Sequence, residues 1–339
     1  MTSIPTSDAA KVSSALTHLA NASLFLWDLE SGSQATLLNL SENATFLVAQ
    51  PTGPKCVLRI HRENYHTRHA ISCELQWMAA LAAGSGVITP TPIPGRDGGL
   101  IQTPPASLTP AGELRPRDMV LFEFVDGKAP DESQDLVNSF EQLGELTAKA
   151  HAHALRWERP ADFRRMSWNE ETIFGPSATW GDWRDAPGID LVALEILERA
   201  ETSIVRRLTS YGKSRERFGL IHADMRLANL LIDNGSPRLI DFDDCGFGWF
   251  LYDFATGVSF LEDHPLLSDL TDAWLSGYVR IRQLDAADIA EIPTFIMLRR
   301  MAELAWLGSH PGTDLARELG DRFAQISAEL AKKYLASHS

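Results

Sequence analysis

Between Leu230 and Asp241 the chain reads Leu-Leu-Ile-Asp-Asn-Gly-Ser-Pro-Arg-Leu-Ile-Asp, and this stretch limits the fold more than any other. Two short apolar runs flank Asn234-Gly235, a pair that accepts the positive φ angles of a two-residue turn, so the segment predicts a β-hairpin. A hairpin brings its two ends together. The residues leading into it, His222, Asp224 and Asn229, are therefore expected beside those leaving it, Asp241 and Asp243.

That gathering suits phosphoryl transfer. The reaction asks little covalent chemistry of a protein: a base for the attacking hydroxyl, oxygen ligands for Mg²⁺ and cations for the phosphates. Asp224 follows His222 by two residues and precedes Asn229 by five, the spacing of the loop that carries base and metal ligand in kinases. Asp224 is expected to accept the hydroxyl proton, and Asn229 and Asp241 to present oxygens to Mg²⁺, a hard ion that takes one or two carboxylates beside phosphate and water. Taken singly these residues read as a helix cap, a turn residue and a loop carboxylate. Their combination around the hairpin carries the reading.

Upstream, residues 9–29 have helical spacing, with Val12, Leu16, Leu19 and Leu24 on one face. Three β-rich runs follow, at 34–40, 44–49 and 56–61, separated by turn residues as in an antiparallel meander. A helix is expected over 69–83 and a strand over 119–125. Beyond Asp126-Gly127 helical patterns dominate, at 135–156, 191–211, 264–281, 287–307 and 315–334. The expected class is α+β with two lobes, a small β-rich one over residues 1–125 and a larger, mainly helical one over 126–339.

Composition narrows the partners. A formal charge of −14 argues against a broad nucleic-acid or anionic-membrane footprint, which needs clustered Lys and Arg. Three widely spaced cysteines, Cys56, Cys73 and Cys245, give neither a disulfide framework nor a zinc motif. With no secretory leader pattern and no long apolar run, a cytoplasmic protein is expected, as a monomer or homodimer.

His222 to Asn229, followed by Leu239-Ile240-Asp241-Phe242-Asp243, resembles the aminoglycoside phosphotransferase and choline kinase superfamily. Within it, Leu38 to Phe46, Val57 to Arg62 and Trp180 to Gly188 look most like the group with type II homoserine kinases and a bacterial stress-response protein kinase. The resemblance implies a protein-kinase-like fold with ATP between the lobes. It places Ser41 and Asn43 in the loop over the phosphates and Arg59 where most such kinases carry a phosphate-binding Lys. Glu74 then becomes the helix partner of Arg59, and the backbone from Glu123 to Val125 the adenine hinge. Asp243 is implied to assist the metal or its loop, Asp253 to brace the catalytic loop, and His222 to bond backbone near the metal loop. His151 and His153 lack a carboxylate at metal-ligand spacing and read as packing or surface residues.

The acceptor is less defined. Residues 157–188 hold Trp157, Trp168, Trp180 and Trp183 with Arg164, Arg165 and Arg184, an insertion sized to cap a substrate site, although most such tryptophans simply pack. A small-molecule hydroxyl is expected, and the acidic balance suits a cationic acceptor such as an amino alcohol, a homoserine-like compound or an aminoglycoside. A Ser/Thr protein kinase and a non-catalytic kinase-shaped nucleotide-binding protein are the alternatives.

Overall fold

A computed structural model describes residues 6–41, 43–110, 114–130 and 135–338. Helix α1 (Thr6–Ser23) leads through a 3-10 turn into β1 (Gln34–Leu40), β2 (Ala44–Ala49) and β3 (Cys56–Ile60). Helix α2 (Arg68–Ser85), β4 (Pro92–Ile93) and β5 (Met119–Glu123) complete this part, whose five strands pair antiparallel in the order β1-β2-β3-β5-β4. Strand side chains alternate between faces, so Ala44, Phe46, Val48, Leu58 and Ile60 point to one side and meet Leu16, Leu19, Ala20 and Trp27 in a compact core. β5 divides its loyalties: Met119 and Leu121 join that core, while Val120 and Phe122 join a larger one that includes α2. The sheet and the helical part are thereby packed through a shared strand.

The helical part begins with α3 (Leu136–Arg156) and runs through β6 (Ser167–Trp168), α4 (Glu170–Phe174), α5 (Leu191–Tyr211) and β7 (Phe218–Ile221). The hairpin β8 (Leu230–Asp233) and β9 (Ser236–Leu239) follows in the expected register, with Asn234 at φ 48° and Gly235 at φ 79°. β10 (Gly246–Trp249), α6 (Phe250–Gly257), α7 (Leu267–Tyr278), α8 (Ala286–Ala290), α9 (Ile292–Ser309) and α10 (Asp314–His338) finish the chain. Lys128 bridges to Ile232 and Ile88 to Arg238, which clamps the hairpin between two segments from earlier in the sequence.

The departures from expectation have local causes. The helix expected over 287–307 is two, because Asp285 and Asp288 close a capping box on α8 and Pro293 favours a fresh start for α9. The strand expected to 125 ends at Glu123, the helix expected over 264–281 is Leu267–Tyr278, and α1 stops at Ser23 rather than running to 29. Strands β7 and β10 carry Gly219, Gly246 and Gly248, poor strand formers that hid them. Gly246 is needed because a Cβ there would meet the Met166 carbonyl oxygen at 2.4 Å.

Candidate active site

The loop between β7 and β8 is held from beneath by α6. Asp253, fully buried, accepts the backbone N–H of His222 at 3.0 Å, that of Ala223 at 2.6 Å and the ring of His151 at 2.9 Å. Thr256 accepts the Met225 N–H at 2.8 Å, and the His222 ring bonds the Ile240 carbonyl at 3.1 Å, the backbone contact expected of it. These bonds hold Ala223 at φ 65°, a region that costs an alanine energy. His151, expected only to pack, is a full member of this support and also bonds Tyr278 at 2.9 Å.

So braced, Asp224 turns its carboxylate toward two arginines and an amide. Arg226 forks onto it at 2.9 and 3.4 Å, and Arg299 of α9 stands at 3.6 Å. Asn229 donates its amide N–H to the Asp224 carbonyl at 2.9 Å and carboxylate at 2.7 Å, which leaves Asn229 Oδ1 as an acceptor. Burial pushes the Asp224 carboxyl up, but Arg226, Arg299 and His222 outweigh it and hold it below the usual value. The group is ionised at neutral pH.

The Ile240 N–H donates to the Asn229 carbonyl at 3.0 Å, so the next residue, Asp241, emerges beside Asn229 as the hairpin predicted. Asp241 adopts φ 60°, and about half of its side-chain surface, 53 %, is open. Protein rings the rest. That partial desolvation, opposed by Arg59 at 3.8 Å and reinforced by Asp243 and Asp224, pushes its carboxyl up to about 6. An accessible carboxylate short of a cation, beside a spare amide oxygen, is a donor set that fits Mg²⁺. Among the described residues no group of three or more His, Cys, Asp and Glu is arranged to hold a metal without further ligands.

Behind Asp241 lies a buried network. Arg59 on β3 pairs with Glu74 on α2, faces Asp243 at 4.0 Å and lies over the Phe122 ring at 5.2 Å. His61 and His66 stand 3.6 and 3.5 Å from the Asp243 carboxylate, too far for good hydrogen bonds. Burial works against ionised Asp243, yet His61, His66 and Arg59 hold its carboxyl well below the usual range. Arg165, from the insertion, donates to the carbonyls of Ala70, Cys245 and Asp243 and thus ties α2 to the segment after the hairpin. Both Asp243 carboxylate oxygens, Glu74 Oε2 and Arg59 Nε are buried without hydrogen-bond partners. Buried polar atoms are nearly always satisfied, so such a cluster marks a place that a ligand or water completes.

The remaining expected residues are arranged as follows. Ser41 is exposed and accepts a bond from Asn39 at 3.3 Å, and its neighbour Glu42 lies outside the described residues. Asn43 is buried and its Oδ1 accepts the Arg62 N–H at 2.9 Å, pinning the β1–β2 turn to the end of β3. At the expected hinge, the Glu123 amide is engaged by the Thr91 carbonyl and that of Phe124 by Lys55, with Val125 just beyond. Trp168, Trp180 and Trp183 are buried in the larger core and do not line an open groove, and the Trp180 ring lies 5.1 Å from the Arg299 guanidinium. Arg226 and Arg299 were not anticipated. The available signal was in α9, where Arg299, Arg300 and Glu303 interrupt a helix that is apolar on every face, a pattern of buried rather than solvated charge.

The phosphotransferase enzyme family, APH, matches residues 35–287. The chain belongs to that family. It is accordingly an enzyme of the kinase class, and the non-catalytic reading falls. The solved structure of a microcompartment-associated aminopropanol kinase superposes with a TM-score of 0.86 at 44% identity, covering 94% of this chain and 98% of that one. Amicoumacin kinase of Bacillus subtilis (strain 168) is 25% identical over 282 residues, 80% of this chain and 79% of its own length. A homoserine kinase of Neisseria meningitidis serogroup B matches only in part, 38% identical over 80 residues, 22% of this chain and 26% of its own length. The superposition agrees with the two-part, kinase-like architecture, a β-sheet region joined to a larger helical part.

Proposed function

We propose that this APH-family member is an ATP- and Mg²⁺-dependent kinase that phosphorylates the hydroxyl of a small amino alcohol. The observation that carries the reading is the joint placement of Asp224, Asn229 and Asp241 around the β8–β9 hairpin. Asp224 takes the acceptor's proton as the acceptor oxygen bonds the γ-phosphorus and the bond to the β–γ bridging oxygen breaks. Its ionised state at neutral pH suits it to that role. Asn229 and Asp241 are the residues to hold Mg²⁺, which when bound neutralises phosphate charge and orients the phosphates. Arg59, kept in place by Glu74, contributes a planar fork to the phosphates where a Lys would give a point charge. Ser41 and Asn43 belong to the loop above them, and Glu123 to Val125 form the adenine hinge. ATP is thus held by residues 1–125 and the acceptor by residues 126–339. The acceptor class rests on the highly similar aminopropanol kinase and on Glu303, which shares Arg299 with Asp224.

The test is γ-labelled ATP with Mg²⁺, offered in parallel to pooled small amino alcohols, sugars and amino acids and to a protein extract. Label in amino alcohols is the expected result. Label confined to protein would overturn the reading in favour of a protein kinase.

A further inference from the structure

Glu262, in the segment after α6, and Glu303, on α9, are 3% and 2% exposed. Each has one oxygen served by an arginine: Glu262 Oε2 by Arg300 at 2.7 Å and Glu303 Oε1 by Arg299 at 3.2 Å. The other oxygens, Glu262 Oε1 and Glu303 Oε2, have no hydrogen-bond donor. Burial together with the neighbouring Glu303 carboxylate pushes the Glu262 carboxyl well above the usual range. Arg300 also bonds Ser327 and the Phe323 carbonyl, while Arg299 bonds Ser259 and faces Asp224 and keeps Nη1 without a partner. What the pair lacks is a compact donor of positive charge. In its absence a proton on the pair serves, as the raised Glu262 carboxyl indicates.

We propose that Glu262 and Glu303 form the ammonium subsite of a short amino alcohol whose hydroxyl faces Asp224, a proposal that rests on the small-molecule kinase reading above. A primary ammonium carries three donors on a point charge and can serve both unpartnered oxygens, which a planar guanidinium does less well. The spacing suits a short molecule. Arg299 touches Glu303 with Nε at 3.2 Å and Asp224 with Nη2 at 3.6 Å, so the same guanidinium contacts both carboxylates. A chain of two or three carbons between nitrogen and oxygen spans the gap between them. On binding, the ammonium displaces the proton on the pair to solvent, and charge in the buried pair is conserved.

The experiment compares kcat/KM for 1-amino-2-propanol with that for its neutral isostere 1,2-propanediol. Wild-type protein is expected to favour the amine by roughly 100-fold or more, since a site built for a polar group strongly rejects an analogue lacking it. Glu303→Gln and Glu262→Gln should each reduce that preference about tenfold or more, chiefly through the KM of the amine. An unchanged preference in folded variants would overturn the subsite and leave the pair a structural, protonated contact. Should the variants fail to fold, wild-type protein still decides: propylamine, which has no hydroxyl, should compete with the amino alcohol, and absence of inhibition overturns the proposal. Equal use of both alcohols by wild-type protein would sink the subsite alone. Failure to phosphorylate any small alcohol would instead sink the functional reading.

Discussion

On the two sides of Asp241 the protein builds opposite charge arrangements from the same groups. Toward the sheet, one guanidinium, Arg59, faces three carboxylates, Glu74, Asp241 and Asp243. Toward α9, Asp224 faces two guanidiniums, Arg226 and Arg299, the second of which also pairs with Glu303. The first side is short of a cation, and its most open carboxyl is pushed up to about 6. The second is rich in cation, and its carboxyl is held below the usual value. One side thus leaves a carboxyl short of a cation and the other keeps a carboxylate ionised.

If that division is right, Asp224→Asn breaks the second side and reaches the first only through the repulsion between Asp224 and Asp241. The expected loss in kcat is about 10³-fold, within the range for removing a general base, while ATP affinity changes by less than about threefold. Pre-steady-state phosphotransfer and nucleotide titration measure the two. Wild-type kcat in this variant would remove the base from its role.

The sheet side should show its dependence on one cation as stability. Arg59→Met leaves Glu74 only Arg165, at 3.9 Å, and Asp243 only His61 and His66, and breaking such a buried pair costs about 3–5 kcal/mol. Arg59→Lys keeps the charge but not the fork, and should cost no more than about 2 kcal/mol. Denaturant titration gives both numbers. Equal losses would mean that shape, not charge, matters at this position.

The same contrast explains what the sequence disclosed. The hairpin, its Asn-Gly turn and the spacing from His222 to Asp241 are local patterns, so the meeting of Asp224, Asn229 and Asp241 could be expected from them alone. Arg59 and Glu74 came through likeness of the surrounding segments. The acceptor side is assembled from residues far apart in sequence, with Arg226, Arg299 and Glu303 meeting only through the packing of α9 under the catalytic loop. Arg299 and Glu303, four apart on a helix, look like an ordinary surface pair until the apolar character of every other face is weighed. Arg165 is similar: one arginine among several in a Trp-rich insertion, it becomes a buried tie only when three carbonyls converge on it. Short glycine-bearing strands such as β10 escape notice because their pairing is set by close approach rather than by propensity.

A pH experiment sharpens the comparison further. Asp224 ionises below the usual carboxylate value, so it should not limit activity on the acid side. Asp241, at about 6 in the metal-free protein, should. Below that pH a proton competes with Mg²⁺ for its carboxylate, and kcat/KM at limiting Mg²⁺ is expected to fall by up to about tenfold per unit. Raising Mg²⁺ should move the acid limb to lower pH, because metal and proton exclude each other. The sign for stability is the reverse. The folded metal-free protein binds more protons than the unfolded chain between about 4 and 6, so Asp241's contribution falls as pH rises through that window. An acid limb indifferent to Mg²⁺ would assign it to another group.

The smallest effect belongs to backbone strain, which both sides carry: Ala223 sits at φ 65° and Asp241 at φ 60°. The two differ in what holds them. Ala223 is pinned through its N–H to Asp253, and its methyl contributes nothing to the chemistry. Ala223→Gly removes about 1–2 kcal/mol of left-handed strain and adds about 0.5–1 kcal/mol of unfolded-state entropy. With about 0.8 kcal/mol lost from a methyl that is fully buried, the net expectation is a change of no more than about 1 kcal/mol, a shift in Tm of no more than about 1.5 °C for a chain of this size, with kcat within about twofold. If Asp253 alone sets the loop, the alanine is dispensable and that result follows. A loss of kcat well beyond twofold with Tm within that range would mean instead that the stiffness of Ala223, added to the Asp253 bonds, helps keep Asp224 between its two arginines.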